Sequence, residues 1–400
     1  MKVLTFNCGT DSIRFKVVET ISQQILVKGA VEAISTENAF FDFHNFRDSK
    51  QFKKPYNKGF DSAVDEILCT LTDDWYGIFS SIGEIDAIGH RIVHGGKKYV
   101  EPIIIKDEIL SDLKSMEQID PVHNSKITKV IEICKNEVNN QIYNVGVFDT
   151  AFHQTIPKIN SMYAIPRELY EKAGVQKYGF HGISYQNIMR QLPDLIDKNP
   201  EEINAILIQL GSGSSMCCVK DGKSFDTTMG YSPLDGMVMS TRSGSIDPTI
   251  LTKICDYYHC NLNEALNILN YQSGYYGLCG ESDIKTLCDK SENGDENAMF
   301  ARQLAAQNFK KNLASMLVQL DSADAIVVSG GMGLRNSRQR DLFFSDLEML
   351  GIMLDKDKNN KAFNEIATIS TPGSKIPIMT VPSDEEMEIS LQTEKLLGGR

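Results

Sequence analysis

The sequence predicts an α/β protein made of two related halves. Apolar strand-like runs alternate with segments of helical periodicity along all 400 residues. Two strand-turn-strand segments half a chain apart share one grammar, and a second pair of segments echoes the same spacing. The length suits two domains of ordinary size.

The first segment is Val3-Leu4-Thr5-Phe6-Asn7-Cys8-Gly9-Thr10-Asp11-Ser12, leading into Ile13-Arg14-Phe15-Lys16-Val17-Val18. Its counterpart is Ala205-Ile206-Leu207-Ile208-Gln209-Leu210-Gly211-Ser212-Gly213-Ser214-Ser215, leading into Met216-Cys217-Cys218-Val219. Each is an apolar strand, an amide side chain, a Gly/Ser/Thr turn and a second strand. Such turns offer hydroxyls and backbone N–H groups to phosphate oxygens. The second pair is Asp86-Ala87-Ile88-Gly89 and Asp324-Ala325-Ile326-Val327, each opening an apolar stretch that ends in a glycine pair, Gly95-Gly96 and Gly330-Gly331. Together the echoes favour internal duplication over two unrelated α/β domains. Between them, Asp61 to Thr72 has apolar residues at helical spacing. Phe300 to Leu320 reads as a long helix with Leu304, Phe309, Leu313, Leu317 and Leu320 near one stripe. Glu385 to Leu397 reads as a terminal helix. The strand Tyr143 to Phe148 sets the expected boundary: one domain over 1–150, a second over 151–384, and a terminal helix, 385–400, returning to the first.

A net charge of −12 gives no electrostatic footprint for general nucleic-acid binding and opposes an anionic membrane surface. Anionic substrates must be held by local Arg or Lys. No apolar run reaches membrane-spanning length, and the opening residues read as a strand, not a signal peptide. The nine cysteines are odd in number and unpatterned, which fits core thiols in a reducing cytoplasm.

Six clusters carry chemistry. Gly89-His90-Arg91-Ile92-Val93-His94 sets an Arg between two His after a strand; it can grip an anion with its planar fork or tie a loop to a nearby Asp. Asp149 ends an apolar strand, as a ligand group or a helix cap. His181 stands between glycines in Tyr178-Gly179-Phe180-His181-Gly182, and His123 follows Asp120-Pro121-Val122; either serves a site or a turn. Pro233 to Pro248 holds Ser240-Thr241-Arg242-Ser243-Gly244, a guanidinium with hydroxyls and a pliable backbone, suited to clamp a phosphoryl group; its methionines read as core. Ser329-Gly330-Gly331-Met332-Gly333 follows a strand but is neither a Walker A nor a dinucleotide fingerprint.

Those motifs, with Val147 to Thr155 and Pro382-Ser383-Asp384-Glu385-Glu386, resemble the signatures of the acetate kinase family, which includes propionate kinases. The resemblance runs in order from Asn7 to Glu386. It implies two duplicated ribonuclease H-like domains, as in actin, Hsp70 and sugar kinases, with a cleft between them. It also implies a homodimer formed through the second, nucleotide-binding domain, and transfer of a phosphoryl group from ATP to acetate or propionate with Mg2+, or Mn2+ as an alternative. Carried over by position, Asn7 and Glu385 lie at the metal. Arg91 holds the carboxylate, Asp149 is the essential carboxylate, His181 and Arg242 stabilise the phosphoryl group, and His123 lies nearby. Val93, Val122, Phe180 and Pro233 wall the acyl pocket. The nucleotide falls to Arg14, to Gln209, Leu210, Gly211, Ser212 and Gly213, to Asp283, Ile284 and Lys285, and to Gly331, Met332, Gly333, Leu334 and Arg335.

Several of these positions depart from the family pattern. Thr10 and Asp11 replace serines and Arg14 a lysine; Gln209 and Ser212 replace His and Asn; Lys285 replaces Arg; Leu334 and Arg335 replace Glu and Asn; Ser245 replaces Asp. The acyl side therefore looks intact and the nucleotide side altered. Two alternatives follow: a short-chain acyl kinase using pyrophosphate or another nucleotide, and a non-catalytic relative that binds nucleotide or acyl phosphate.

Overall fold

The computed structural model describes residues 1–9, 11–115, 124–137 and 142–398. The chain divides into two compact units: Met1–Ala151 with Asp384–Arg400, and Phe152–Ser383.

The first unit is built on strands β1 (Lys2–Cys8), β2 (Ile13–Glu19), β3 (Gln24–Glu32), β4 (Phe40–Asn45), β5 (Lys50–Pro55), β6 (Ala87–Ile92), β7 (Ile103–Ile104) and β8 (Tyr143–Phe148). Among the described residues they form one sheet of order β5-β4-β3-β2-β1-β6-β8-β7. β1, β2 and β3 are antiparallel neighbours, whereas β1, β6 and β8 run parallel. β1 is buried on both faces from Val3 to Cys8, its polar Thr5 and Asn7 included. The helix Phe60–Leu71 buries Ala63, Val64, Ile67, Leu68 and Leu71, the stripe its spacing predicts.

The terminal helix Glu385–Gly398 packs on this unit, close enough to explain a glycine. A β-carbon on Gly89 would stand 2.6 Å from Ile389 Cγ2 and 2.8 Å from Thr393 Oγ1. Side chains alternate along a strand, so Thr5 and Asn7 of β1 share that face with Gly89 and Arg91 of β6. The opposite face holds Phe6 stacked on His90, ring centroids 6.0 Å apart.

The second unit uses β9 (Ala205–Leu210), β10 (Ser214–Lys220), β11 (Lys223–Thr227), β12 (Ala325–Ser329), β13 (Ala367–Thr368) and β14 (Ile378–Thr380), in the order β11-β10-β9-β12-β14-β13. β9 feeds two cores. Ile206, Ile208 and Leu210 join the layer with the long helix Glu296–Leu317, and Ala205 and Leu207 join the layer with the helix Gly182–Ile196. Met237 and Met239 are buried, as expected of core methionines.

The two sheets repeat one another over six strands. Each has three antiparallel strands, then two parallel ones, then a two-residue antiparallel edge strand that precedes its neighbour in sequence. The aspartates noted in the sequence mark the same register. Asp86 accepts from the Lys2 N–H at 2.7 Å while its own N–H donates to Lys2 O at 3.0 Å. Asp324 makes the same reciprocal pair with Asn204, at 2.8 and 2.6 Å.

One helix expectation needs correction. The long helix buries Ala298, Ala301, Ala305, Ala306, Phe309, Leu313 and Met316, and leaves Phe300 and Leu304 exposed. Alanines let the helix lie close to its sheet, so the stripe of large residues marks only part of the buried face.

Candidate functional site

In the first unit the strand pleat gathers the predicted polar residues at one end of the sheet. Asn7 and Arg91 sit at the carboxyl ends of neighbouring parallel strands, on the face where the terminal helix begins. Asn7 Nδ2 donates to Glu385 Oε2 at 2.7 Å and to Glu386 Oε1 at 2.8 Å. Asn7 Oδ1 accepts from Arg91 Nη1 at 3.0 Å. Arg91 also donates from Nε, at 3.1 Å, and Nη2, at 2.6 Å, to Oδ2 of the fully buried Asp149. Burial alone would lower the guanidinium pKa. Asp149, then Glu385 and Glu386, outweigh it and hold the group above its ordinary value, so Arg91 is a fixed cation. Three of its five N–H groups serve these bonds, leaving two for a ligand carboxylate. Asp149 thus pairs with Arg91, the alternative that the arginine motif left open.

Lys16, which the sequence reading passed over, belongs here. It is the cross-strand partner of Thr5, so it lies on the same face, and it pairs with Asp384 and with Glu386 at 3.4 Å. Its signal was available in the strand alternation from Arg14. Asp384 also accepts from the Met387 N–H at 2.9 Å, capping the helix that presents Glu385 and Glu386. Arg14 is mostly exposed and pairs with Glu32 at 3.0 Å.

The residues fit a hard divalent cation. Two carboxylates converge on the Asn7 amide nitrogen and offer hard oxygen donors, whereas Asn7 Oδ1 is taken by Arg91. Mg2+ takes one or two protein carboxylates and leaves its other positions to water and substrate phosphates. No group of three or more His, Cys, Asp or Glu that could hold a metal ion occurs among the described residues.

In the second unit a β-carbon on Gly213 would stand 3.4 Å from both Arg242 Nη1 and His181 Nε2. Arg242 Nη1 donates to Pro233 O at 3.3 Å. Gly213, Arg242, His181 and Pro233 are therefore one cluster. His181 lies at φ 60°, in the left-handed region, immediately before the helix Gly182–Ile196. His153 holds the segment leading to it. Its Nε2 donates to Phe180 O at 2.9 Å and its Nδ1 accepts from Ser224 Oγ at 2.8 Å. Gly179, at φ +74°, lets the chain cross the His153 ring; a β-carbon there would meet the ring at 2.6 Å. Burial pushes the His153 pKa down to about 4, so it is neutral and structural. Ser245 donates to Asp235 Oδ1 at 2.5 Å and accepts from the Gly236 N–H at 2.9 Å, which ties the Arg242 turn to the Pro233 loop.

The nucleotide expectations divide. Gly211, Ser212 and Gly213 form a turn closed by the Gly211 N–H on Gly213 O at 3.0 Å, and Ser212 is exposed. Gly331, Lys285 and Arg335 are exposed, and a β-carbon on Gly331 would touch nothing within 4 Å. Leu210, Met332, Gly333 and Leu334 are buried, so the Leu334 side chain, expected to face the nucleoside, lies in the core instead. A β-carbon on Gly330 would stand 2.3 Å from Leu210 O, so glycine lets that turn lie close against the Leu210 backbone. Asp283 caps the helix Ile284–Glu292 through the Thr286 N–H, and Ile284 packs on the core. Gln209 is half-buried. Val93 and Phe180 are buried in the first and second units. Thr10, Val122 and His123 lie outside the described residues.

Fold and side chains define a duplicated α/β protein that sets arginines and carboxylates at the carboxyl ends of its strands, the usual place for ligands in such sheets. Residues 2–391 match the Acetokinase family. An acetate kinase from Thermoanaerobacterium thermosaccharolyticum is 38% identical over 399 residues, covering 99% of each chain. A propionate kinase structure from Francisella tularensis superposes with a TM-score of 0.89 at 34% identity, over 98% of each chain. The acetate kinase structure from Porphyromonas gingivalis gives 0.88 at 32%, over 99% of each. The chain belongs to the acetokinase family and is a kinase that transfers phosphate to a carboxylate acceptor.

Proposed function

We propose that the protein transfers a phosphoryl group reversibly between ATP and acetate or propionate, in a reaction that requires Mg2+. The observation that carries this reading is the Asn7–Arg91–Asp149 cluster facing Glu385 and Glu386. A carboxylate is already ionised and nucleophilic at neutral pH, so no base must remove a proton. Catalysis then rests on positioning and on neutralising charge. Arg91 holds the acceptor carboxylate with its remaining N–H groups. Asp149 orients Arg91 and does not abstract a proton. Mg2+, held through Glu385, Glu386 and Asn7, offsets phosphate charge when bound. His181 and Arg242 donate to the phosphoryl oxygens, and His123 is a further candidate for this step. Val93, Val122, Phe180 and Pro233 limit the acyl group. Ser212, Gly213 and Gly331 meet the nucleotide through backbone N–H groups, with Lys285 and Arg335 toward its phosphates or ribose.

Two further expectations go with this reading. The exposed Tyr257, Tyr258 and Leu262 of the second unit suit a dimer contact with a second copy, which the solution mass tests. No helix among the described residues is long and apolar enough to cross a membrane, consistent with action in the cytoplasm. The direct test is a hydroxylamine trap for acyl phosphate. Acetate, propionate and butyrate are offered in turn with ATP, GTP and pyrophosphate, with and without Mg2+. Acyl hydroxamate from acetate or propionate with ATP and Mg2+ is expected. Product with pyrophosphate alone would move the protein to another donor, and no product with any donor would end the reading.

A further inference from the structure

Ser215 Oγ lies 2.9 Å from His181 Nδ1 and 2.5 Å from the Tyr185 hydroxyl, and both Ser215 and Tyr185 are fully buried. We propose that Tyr185 and Ser215 are positioning residues that lock His181 in the tautomer carrying its proton on Nε2. This rests on the role of His181 given above and adds how that role is enforced.

The direction of the chain follows from counting protons. Each hydroxyl has one proton to give. Among the described residues the Tyr185 hydroxyl bonds Ser215 Oγ. A buried hydroxyl proton needs an acceptor, so the tyrosine gives its proton to Ser215. Ser215, accepting there, gives its own proton to His181 Nδ1. An Nδ1 that accepts leaves the imidazole proton on Nε2, the atom beside Gly213 and Arg242. Positive charge lies close to the ring from two sources: the Arg242 guanidinium beside the same Gly213 position, and the amino end of the Gly182–Ile196 helix. A neutral imidazole has a single N–H, so its placement decides whether the ring can donate to a phosphoryl oxygen. The φ of 60° at His181 is a costly conformation, which persists where surrounding contacts fix the residue.

The test uses the intact protein labelled with 15N-histidine, at pH 7.5. A two-bond 1H–15N spectrum reports which ring nitrogen carries the proton, and His181→Gln identifies the signal among the seven histidines. Protonated Nε2 is expected in the wild type. Ser215→Ala should bring in the Nδ1–H form and lower kcat about three- to tenfold, with KM for the carboxylate changed less than about twofold. Ser215→Thr should restore the tautomer. Tyr185→Phe, which keeps the ring packing, should shift it partway and serves if Ser215→Ala does not fold. A wild type protonated on Nδ1, or an unchanged tautomer in both Ser215→Ala and Tyr185→Phe, overturns the relay. A scrambled tautomer with unchanged kcat supports the relay and counts instead against the role of His181 in turnover.

Discussion

Arg91 is tied to a carboxylate with no exposure to water, so its removal has two separable consequences. Arg91→Ala should cut turnover at least a hundredfold by losing charge neutralisation. It should also cost about 3–5 kcal/mol of stability, because Asp149 is left buried without its cation. The double variant Arg91→Ala/Asp149→Asn should recover most of the Tm and none of the turnover. Melting curves and the hydroxamate assay read both, and near-normal turnover in Arg91→Ala would remove the assigned role. Arg242→Ala should show a comparable loss of turnover in the same assay. Side chains of this kind were legible in the sequence because Arg, His and Asp stand out among glycines at strand ends. His153 was missed because it acts on the main chain, through Phe180 O, and a histidine that holds a carbonyl leaves no pattern. Leu334 was misread for the opposite reason. A substituted position inside a motif was taken to face the ligand, although an apolar residue there fits the core in which it lies.

At the scale of elements, the terminal helix and β6 depend on one another through Gly89. Adding a methyl group at Gly89 forces the helix outward, since Ile389 Cγ2 stands 2.6 Å from the new atom. Overpacking of this kind typically costs about 1–3 kcal/mol. The same helix carries Glu385 and Glu386, so Gly89→Ala should lower turnover along with Tm. Gly89→Ala/Ile389→Ala should regain part of the turnover by giving the methyl group room. A Gly89→Ala variant with wild-type Tm and turnover would show that the helix is not held to this register. The helix was visible in the sequence, but its contact with Gly89 was not, because only the folded sheet brings residues 300 positions apart into one layer. The long second-unit helix teaches a related limit. Its buried face is made mostly of alanines, whose weak apolar signal is outweighed by exposed Phe300 and Leu304.

For the whole molecule, the duplication was readable because each half repeats a strand, an amide and a small-residue turn, and because Asp86 and Asp324 mark equivalent register points. The paired edge strands, β7 and β13, are two residues long and too short to leave a periodic trace. Each unit also buries a histidine whose pKa burial lowers, His90 and His153, and these make the protein acid-labile. Burial lowers the His90 pKa to about 4 in the first unit and the His153 pKa to about 4 in the second. In the unfolded chain both titrate near their ordinary value of 6.5. Above pH 6.5 neither state binds the proton, and stability is at its full value. Between 6.5 and 4 the unfolded chain takes up protons that the folded units refuse, so stability falls as pH falls. The slope approaches about 1.4 kcal/mol per pH unit for each histidine. Carboxylates such as Asp107, held low by Lys135, titrate beneath this window. Urea unfolding at pH 7 and pH 5 should therefore show a loss of about 2 kcal/mol per histidine. His90→Gln and His153→Gln should each remove about half of the pH dependence, whatever they cost at pH 7. A double variant as acid-sensitive as the wild type would place the effect elsewhere.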